Sequence, residues 1–404
     1  MSDSSVVTVI TPPSPLPSRE ERVHALDNLR AVAMLLGIFL HGAISFMTLK
    51  FPWAARDASV HWSFDLAVGL IHGFRMQLFF FLAGFFARLL HERLGAAAFA
   101  RQRLIRIGLP FLLGMVTLVP LVGAVWVWGI WQMKEPVEMI FKPGRNLASI
   151  PTGHLWFLEY LLVFYALGLA VVWLAKRLPG GCFSAADRAF DRLMRSPLKA
   201  LPVAMLSVLC LWDGPMWGEI EQAGVGFFPG LRAVAYYGLF FAVGWWLHRR
   251  RHQLGELAGF LKSSFALALL AMLIHGTILV SQPKPSQPDY LTLKLASLAC
   301  AALYAWLMTF AVTGWFLRFA GQHQPWVCYL ADASYWCYLV HLPLVLWLQV
   351  VVAHWPGHGW VKFSGIMLVT MVLLLGSYHW CVRYTWIGRL LNGPREKAEK
   401  SARG

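Results

Sequence analysis

Runs of about twenty apolar residues recur along the whole 404-residue chain, each long enough to cross a bilayer as a helix. The runs lack the period-two alternation of barrel strands, and hydrocarbon admits only helices and closed barrels. Apolar side chains make up 58% of the chain and charged ones 14%, with 20 Trp and 27 Phe, which excludes a soluble globular protein. The expected fold is all-α: a polytopic membrane helix bundle of about ten transmembrane helices. They fall near residues 26–48, 62–88, 104–131, 154–175, 197–213, 226–248, 262–281, 291–317, 327–353 and 360–383. The fifth is the weakest, because Pro197, Lys199 and Pro202 leave a clean apolar run only from Val203 to Trp212.

The formal charge of +15 would suit nucleic acid, but its distribution suits a membrane better. Twenty-four of the 35 Lys and Arg fall in the two tails and alternate loops, and eight in the opposite loops. That asymmetry places both termini in the cytoplasm. Omitting the fifth span would reverse every later loop and export Arg249, Arg250 and Arg251. Residues 1–24, polar and Pro-rich, read as a disordered cytoplasmic tail with no cleavable signal. One membrane domain fills 25–388, and 389–404 is a basic cytoplasmic tail. The six cysteines have no CxxC spacing and read as free thiols, with no metal site.

Ionisable groups inside the spans are costly and mark function by default. The first span holds Arg30 and His41, eleven residues apart; that spacing turns a helix through about 1100° and climbs about 16 Å. The two side chains therefore share one face, with Asp27 placed to pair with Arg30. His41, His275 and His341 lie at similar depth, past the midplane, on three helices running the same way. His72, Arg75 and Gln77 lie in the second span, where Arg75 needs a counter-group. His154 and Glu159 open the fourth span; Glu159 is a candidate to neutralise Arg75, while Trp156 and Tyr160 suit an interfacial belt. Tyr335 and Tyr338 set hydroxyls on one face below His341, beside Pro343. Arg232, Tyr236 and Tyr237 add polar groups to the sixth span. Gly84 reads as a helix-packing residue. No GxGxxG, P-loop, HExxH or GxSxG signature is present.

Several of these stretches together resemble the acyltransferase-3 family of integral membrane acyltransferases. They are Leu26-Asp27-Asn28-Leu29-Arg30 with the Arg30–His41 spacing, Phe79 to Phe86, His154-Leu155-Trp156-Phe157-Leu158, and Ser334 to Pro343. The closing Arg389-Leu390-Leu391-Asn392-Gly393 is similar to a branch that modifies extracytoplasmic glucans with succinyl groups. Ala83 departs from the Ser that many relatives carry before the glycine. The resemblance covers about residues 24–393. It implies transfer of a succinyl or acetyl group from cytoplasmic acyl-CoA to a hydroxyl of a periplasmic or cell-surface glycan, in a bacterial inner membrane. His41 would be the general base or acyl carrier, because imidazole titrates near neutrality. Arg30, with Arg103 and Arg106 of the inner loop, would hold the donor's CoA. Arg75 would take a carboxylated acyl group or an oxyanion. Asp27 would support Arg30, and His72, His154, Glu159, Tyr335, Tyr338 and His341 would line the substrate path. No tightly bound cofactor is expected beyond acyl-CoA as substrate. The partners are that donor, a glycan and the bilayer; homo-oligomers stay open.

The rival reading is a proton-coupled secondary transporter or flippase, which would also need a polar interior. The halves show no convincing inverted repeat, which weighs against duplicated transporter bundles. A structural subunit without chemistry leaves the Arg30–His41 stripe unexplained.

Overall fold

The computed structural model describes residues 19–133, 150–177, 180–216, 218, 226–322 and 324–393. Its described residues form helices and no strand. Helix α1 (Arg19–Ala43) opens the bundle and tightens into a last turn through Phe46. It starts at Arg19, so the last residues of the expected N-terminal tail are helical; residues 1–18 and 394–404 lie outside the described residues. Next come α2 (Trp62–Leu94) and α3 (Ala96–Arg103). A wide π-type turn, Leu104–Gly108, leads from α3 into α4 (Leu109–Gln132). Helix α5 (Trp156–Ala175) follows a tight turn at Gly153–Leu155. Then α6 (Gly180–Arg195), α7 (Ala200–Leu211) and α8 (Leu231–Arg249) lead into α9 (Leu261–Val280) and α10 (Tyr290–Phe319). The chain ends with α11 (Pro325–Val352), α12 (Gly359–Ser377) and α13 (Trp386–Asn392).

Eight of these passages are long and apolar enough to cross a membrane, and counting α6 with α7 gives up to nine. The remaining segment of the ten expected is α8, 19 residues with Arg232 near its start and His248 near its end. The expected polytopic helical bundle is therefore what forms. The weak fifth span, expected at 197–213, forms only α7, 12 residues long, and the loop expected before it forms α6, turned 107° away from α7. With Arg188, Arg192 and Arg195 along its length, α6 is a surface helix at the Arg-rich end.

Helix α1 is central: it packs on α2, α10, α11 and α12. Asn28 Nδ2 donates to the Ala320 carbonyl at 2.8 Å and ties its start to the end of α10. Helix α2 lies closest to α8 because Gly84 and Gly244 face each other's backbones. A Cβ at Gly84 would overlap the Phe241 carbonyl, and one at Gly244 the Phe81 carbonyl. Gly84 is thus the packing residue its sequence context suggests. At the other end, the loop between α1 and α2 is locked by a buried Lys362–Asp57 ion pair of 2.6 Å.

Candidate active site

A cavity of about 1000 Å³ runs through this bundle. Its lining begins at Arg30, Arg103, Arg106, Asp332 and Asn392 on the Arg-rich end. It passes Arg75, His154, His341 and His41, and reaches Leu49, Phe51, Trp53 and Asp65 at the other. Arg30 and His41 thus face one cavity, as helical spacing requires of residues eleven apart.

At the Arg-rich end, Arg30 pairs loosely with Asp27 at 3.4 Å, and its guanidinium sits 5.7 Å from the Phe86 ring centre. Its Nε is buried without a hydrogen-bond partner. Arg103 lies 5.8 Å from the centre of the Tyr165 ring and donates to Gln102 Oε1 at 2.8 Å. Arg106 stands in the wide turn between α3 and α4, and its carbonyl accepts the Tyr335 hydroxyl at 2.8 Å. Asn392 Nδ2 donates to the Asp332 carbonyl at 2.8 Å, which seats the end of α13 against α11.

Deeper in, His41 and His341 meet. Their rings are nearly parallel, and Nδ1 of His41 lies 2.9 Å from Nε2 of His341. The proton positions follow from the outermost partners. His341 Nδ1 faces the Tyr338 carbonyl at 2.7 Å and the Cys337 carbonyl at 3.1 Å. A carbonyl only accepts, so His341 carries its proton on Nδ1 and presents a lone pair at Nε2. His41 must then donate from Nδ1, which leaves its own Nε2 as the free lone pair. His154 stands edge-on to His341, 5.8 Å between ring centres. It donates from Nε2 to the Leu339 carbonyl at 2.9 Å, leaving Nδ1 buried and unpartnered. The Tyr338 hydroxyl closes the clamp by donating to the His154 carbonyl at 2.6 Å.

Arg75 reaches the same region from α2. Its guanidinium lies over Gly37, one turn before His41, where a Cβ would overlap Nη1. Its Nε is buried without a hydrogen-bond partner, and no carboxylate pairs with it among the described residues. Glu159 does not serve as that counter-ion. It is buried next to Thr152 and does not line the cavity. His72, Tyr335 and Tyr338 do line it. His275 also lines it, but its Nδ1 donates to Ser297 Oγ at 2.9 Å, away from the other imidazoles.

Three participants escape a sequence reading. Gln349 is 1% exposed. Its Nε2 donates to the His41 and Gly42 carbonyls, both at 2.9 Å, satisfying orphan acceptors at the end of α1. Its Oε1 accepts Trp53 Nε1 at 2.9 Å. Trp53 lies 5.8 Å from His41, ring centre to ring centre. The available signal for Gln349 was an amide inside an apolar run, two turns after His341; Trp53 and Gly37 gave none.

A helical membrane bundle whose interior joins an arginine-lined end to hydrogen-bonded imidazoles has the parts of an intramembrane transferase. The acyltransferase-3 domain, described simply as an acyltransferase domain, matches residues 23–379, and the chain belongs to that family. It is a multi-pass membrane acyltransferase. It is similar to glucans biosynthesis protein C of Escherichia coli O139:H28 (strain E24377A / ETEC), 26% identical over 383 residues, 91% of this chain and 93% of the relative. The protein of the same name from Escherichia coli O9:H4 (strain HS) is 26% identical over 381 residues, with the same coverage. No solved structure matches.

Proposed function

We propose that this acyltransferase carries a succinyl or acetyl group from cytoplasmic acyl-CoA to a hydroxyl of a periplasmic or cell-surface glycan, across a bacterial inner membrane. The observation that carries the reading is the lone pair left on His41 Nε2 by the chain of bonds through His341. A sugar hydroxyl gives its proton to that nitrogen as its oxygen attacks the thioester carbonyl. The imidazolium formed strengthens its Nδ1–H bond to His341, whose own proton stays on Nδ1, donated to the Tyr338 and Cys337 carbonyls. The tetrahedral oxyanion develops beside the unpaired Arg75 guanidinium, which needs no rearrangement to receive it. When the C–S bond breaks, the His41 proton passes to the CoA sulfur. An acyl-histidine variant would use the same Nε2 as nucleophile.

The Arg-rich mouth supports a donor entering from the cytoplasm. Arg30, Arg103 and Arg106 give planar cations suited to CoA phosphates. A succinyl carboxylate would also find its counter-charge in Arg75. The similarity to proteins named for glucan biosynthesis supports a glycan as acceptor.

The test is release of CoA by purified protein in lipid nanodiscs, with succinyl-CoA or acetyl-CoA and a glucose oligosaccharide. Acceptor-dependent release is expected, and His41→Ala should lower it roughly 10²–10⁴-fold, the span general-base catalysis commands. Full activity of folded His41→Ala protein would remove His41 from the chemistry.

A further inference from the structure

We propose that the loop between α1 and α2 forms a carbohydrate-binding platform, on which a pyranose ring of the acceptor lies flat against Trp53, flanked by Phe51 and Trp126. This rests on the acyl-transfer reading above and adds the acceptor's seat. The three rings form one aromatic patch at the cavity mouth opposite the arginines. Trp53 meets Trp126 edge to face at 5.4 Å between ring centres, and Phe51 lies 6.5 Å from Trp53. Phe51 is 46% exposed on a loop that is otherwise tied down.

The loop is held from every side. Asp65 accepts from the Thr48 amide at 2.8 Å, the Thr48 hydroxyl at 2.7 Å and the Leu49 amide at 2.9 Å. The Asp57 amide donates to the Ser45 carbonyl at 2.9 Å, and Asp57 pairs with Lys362. A Cβ at Gly129 would overlap the Ala54 carbonyl, so the loop also sits against the last turns of α4. A rigid, partly exposed aromatic surface pays little ordering entropy on binding.

The chemistry of this mouth selects a sugar over its competitors. The C–H face of a pyranose is apolar and meets the electron-rich face of an indole, while its rim of hydroxyls needs polar partners. Asp65 supplies one: a carboxylate has about four acceptor sites, and three are taken. A lipid chain would leave that carboxylate unsolvated. Trp53 is moreover the ring beside His41, and Gln349 bonds both the indole and the His41 carbonyl. A ring stacked there presents its hydroxyls to the basic nitrogen.

The experiment compares wild type with Phe51→Ala and Trp126→Ala in nanodiscs, varying acyl-CoA and a glucose oligosaccharide separately. A second readout, saturation-transfer NMR on the oligosaccharide's C–H protons, needs no turnover. The expected result is an acceptor KM raised about tenfold, an unchanged donor KM, and loss of saturation transfer in both variants, the scale of a lost aromatic contact. Acceptor KM and saturation transfer unchanged in both variants overturn the platform while leaving acyl transfer standing. Wild type that transfers nothing overturns the acyl-transfer reading; if it also shows no saturation transfer, the platform falls with it.

Discussion

At the scale of single residues, the site depends on a lone pair being in the right place. His41 alone would populate either tautomer; the bond to His341, itself fixed by two carbonyls, selects the one with a free Nε2. His341→Phe should therefore lower kcat roughly 10–100-fold, less than the loss expected of His41→Ala. His341→Gln should restore part of it, because an amide oxygen can accept from His41 Nδ1. A purely structural role would give equal losses for Phe and Gln, and kcat measured on folded protein separates the two. Arg30 and His41 were legible because helical geometry is local and eleven residues fix their common face. The equal depth of His41 and His341 was also legible. Their contact was not, since depth along a span says nothing about which helices adjoin. Glu159 shows the same gap in reverse: a carboxylate near the right level turned out to lie behind the cavity wall.

At the scale of elements, the spans were readable wherever twenty apolar residues run together, because the bilayer sets that length. The reading failed to resolve 176–213, where an amphipathic surface helix meets a short apolar one. The short apolar run from Val203 to Trp212 signalled α7's length, but the 107° bend leaves no hydropathy signature. What holds α6 in place is polar. Arg249 donates to both carboxylate oxygens of Asp187, each at 3.0 Å, and Arg250 pairs in the same way with Asp191. The guanidinium of Arg249 holds the Asp187 carboxyl below its ordinary pKa, and that of Arg250 does the same for Asp191. A depressed carboxyl pKa adds stability above its unfolded value, near 3.9, and that stability is lost as pH falls through the folded value. The double variant Asp187→Asn, Asp191→Asn should thus be less stable at pH 7 by about 0.5–1 kcal/mol per pair. Its deficit against wild type should shrink only as pH falls below about 4 and vanish once the pH lies below the depressed folded values, where the wild-type carboxyls are neutral too. Thermal unfolding in detergent at the two pH values checks this; a deficit that persists in acid would contradict it.

At the scale of the whole molecule, the cavity has two unlike mouths, arginines at one and aromatic rings with a carboxylate at the other. Such polarity predicts a sidedness that no single residue carries. In proteoliposomes of uniform orientation, turnover should occur only with acyl-CoA on the Arg-rich face and the glucose oligosaccharide on the opposite face. Equal rates with both substrates on one side would argue against two separate mouths. The placement of the loop between α1 and α2 over the second mouth was invisible in the sequence, since it arises from contacts with α4, α11 and α12. The touching imidazoles carry a further consequence for the cell. Under the proposed function, a void that served reactants from both compartments would be a short circuit for any ion gradient across the membrane. Two rings locked edge to edge and onto backbone oxygens would then have to plug that void against ions at the level where a hydroxyl acceptor enters.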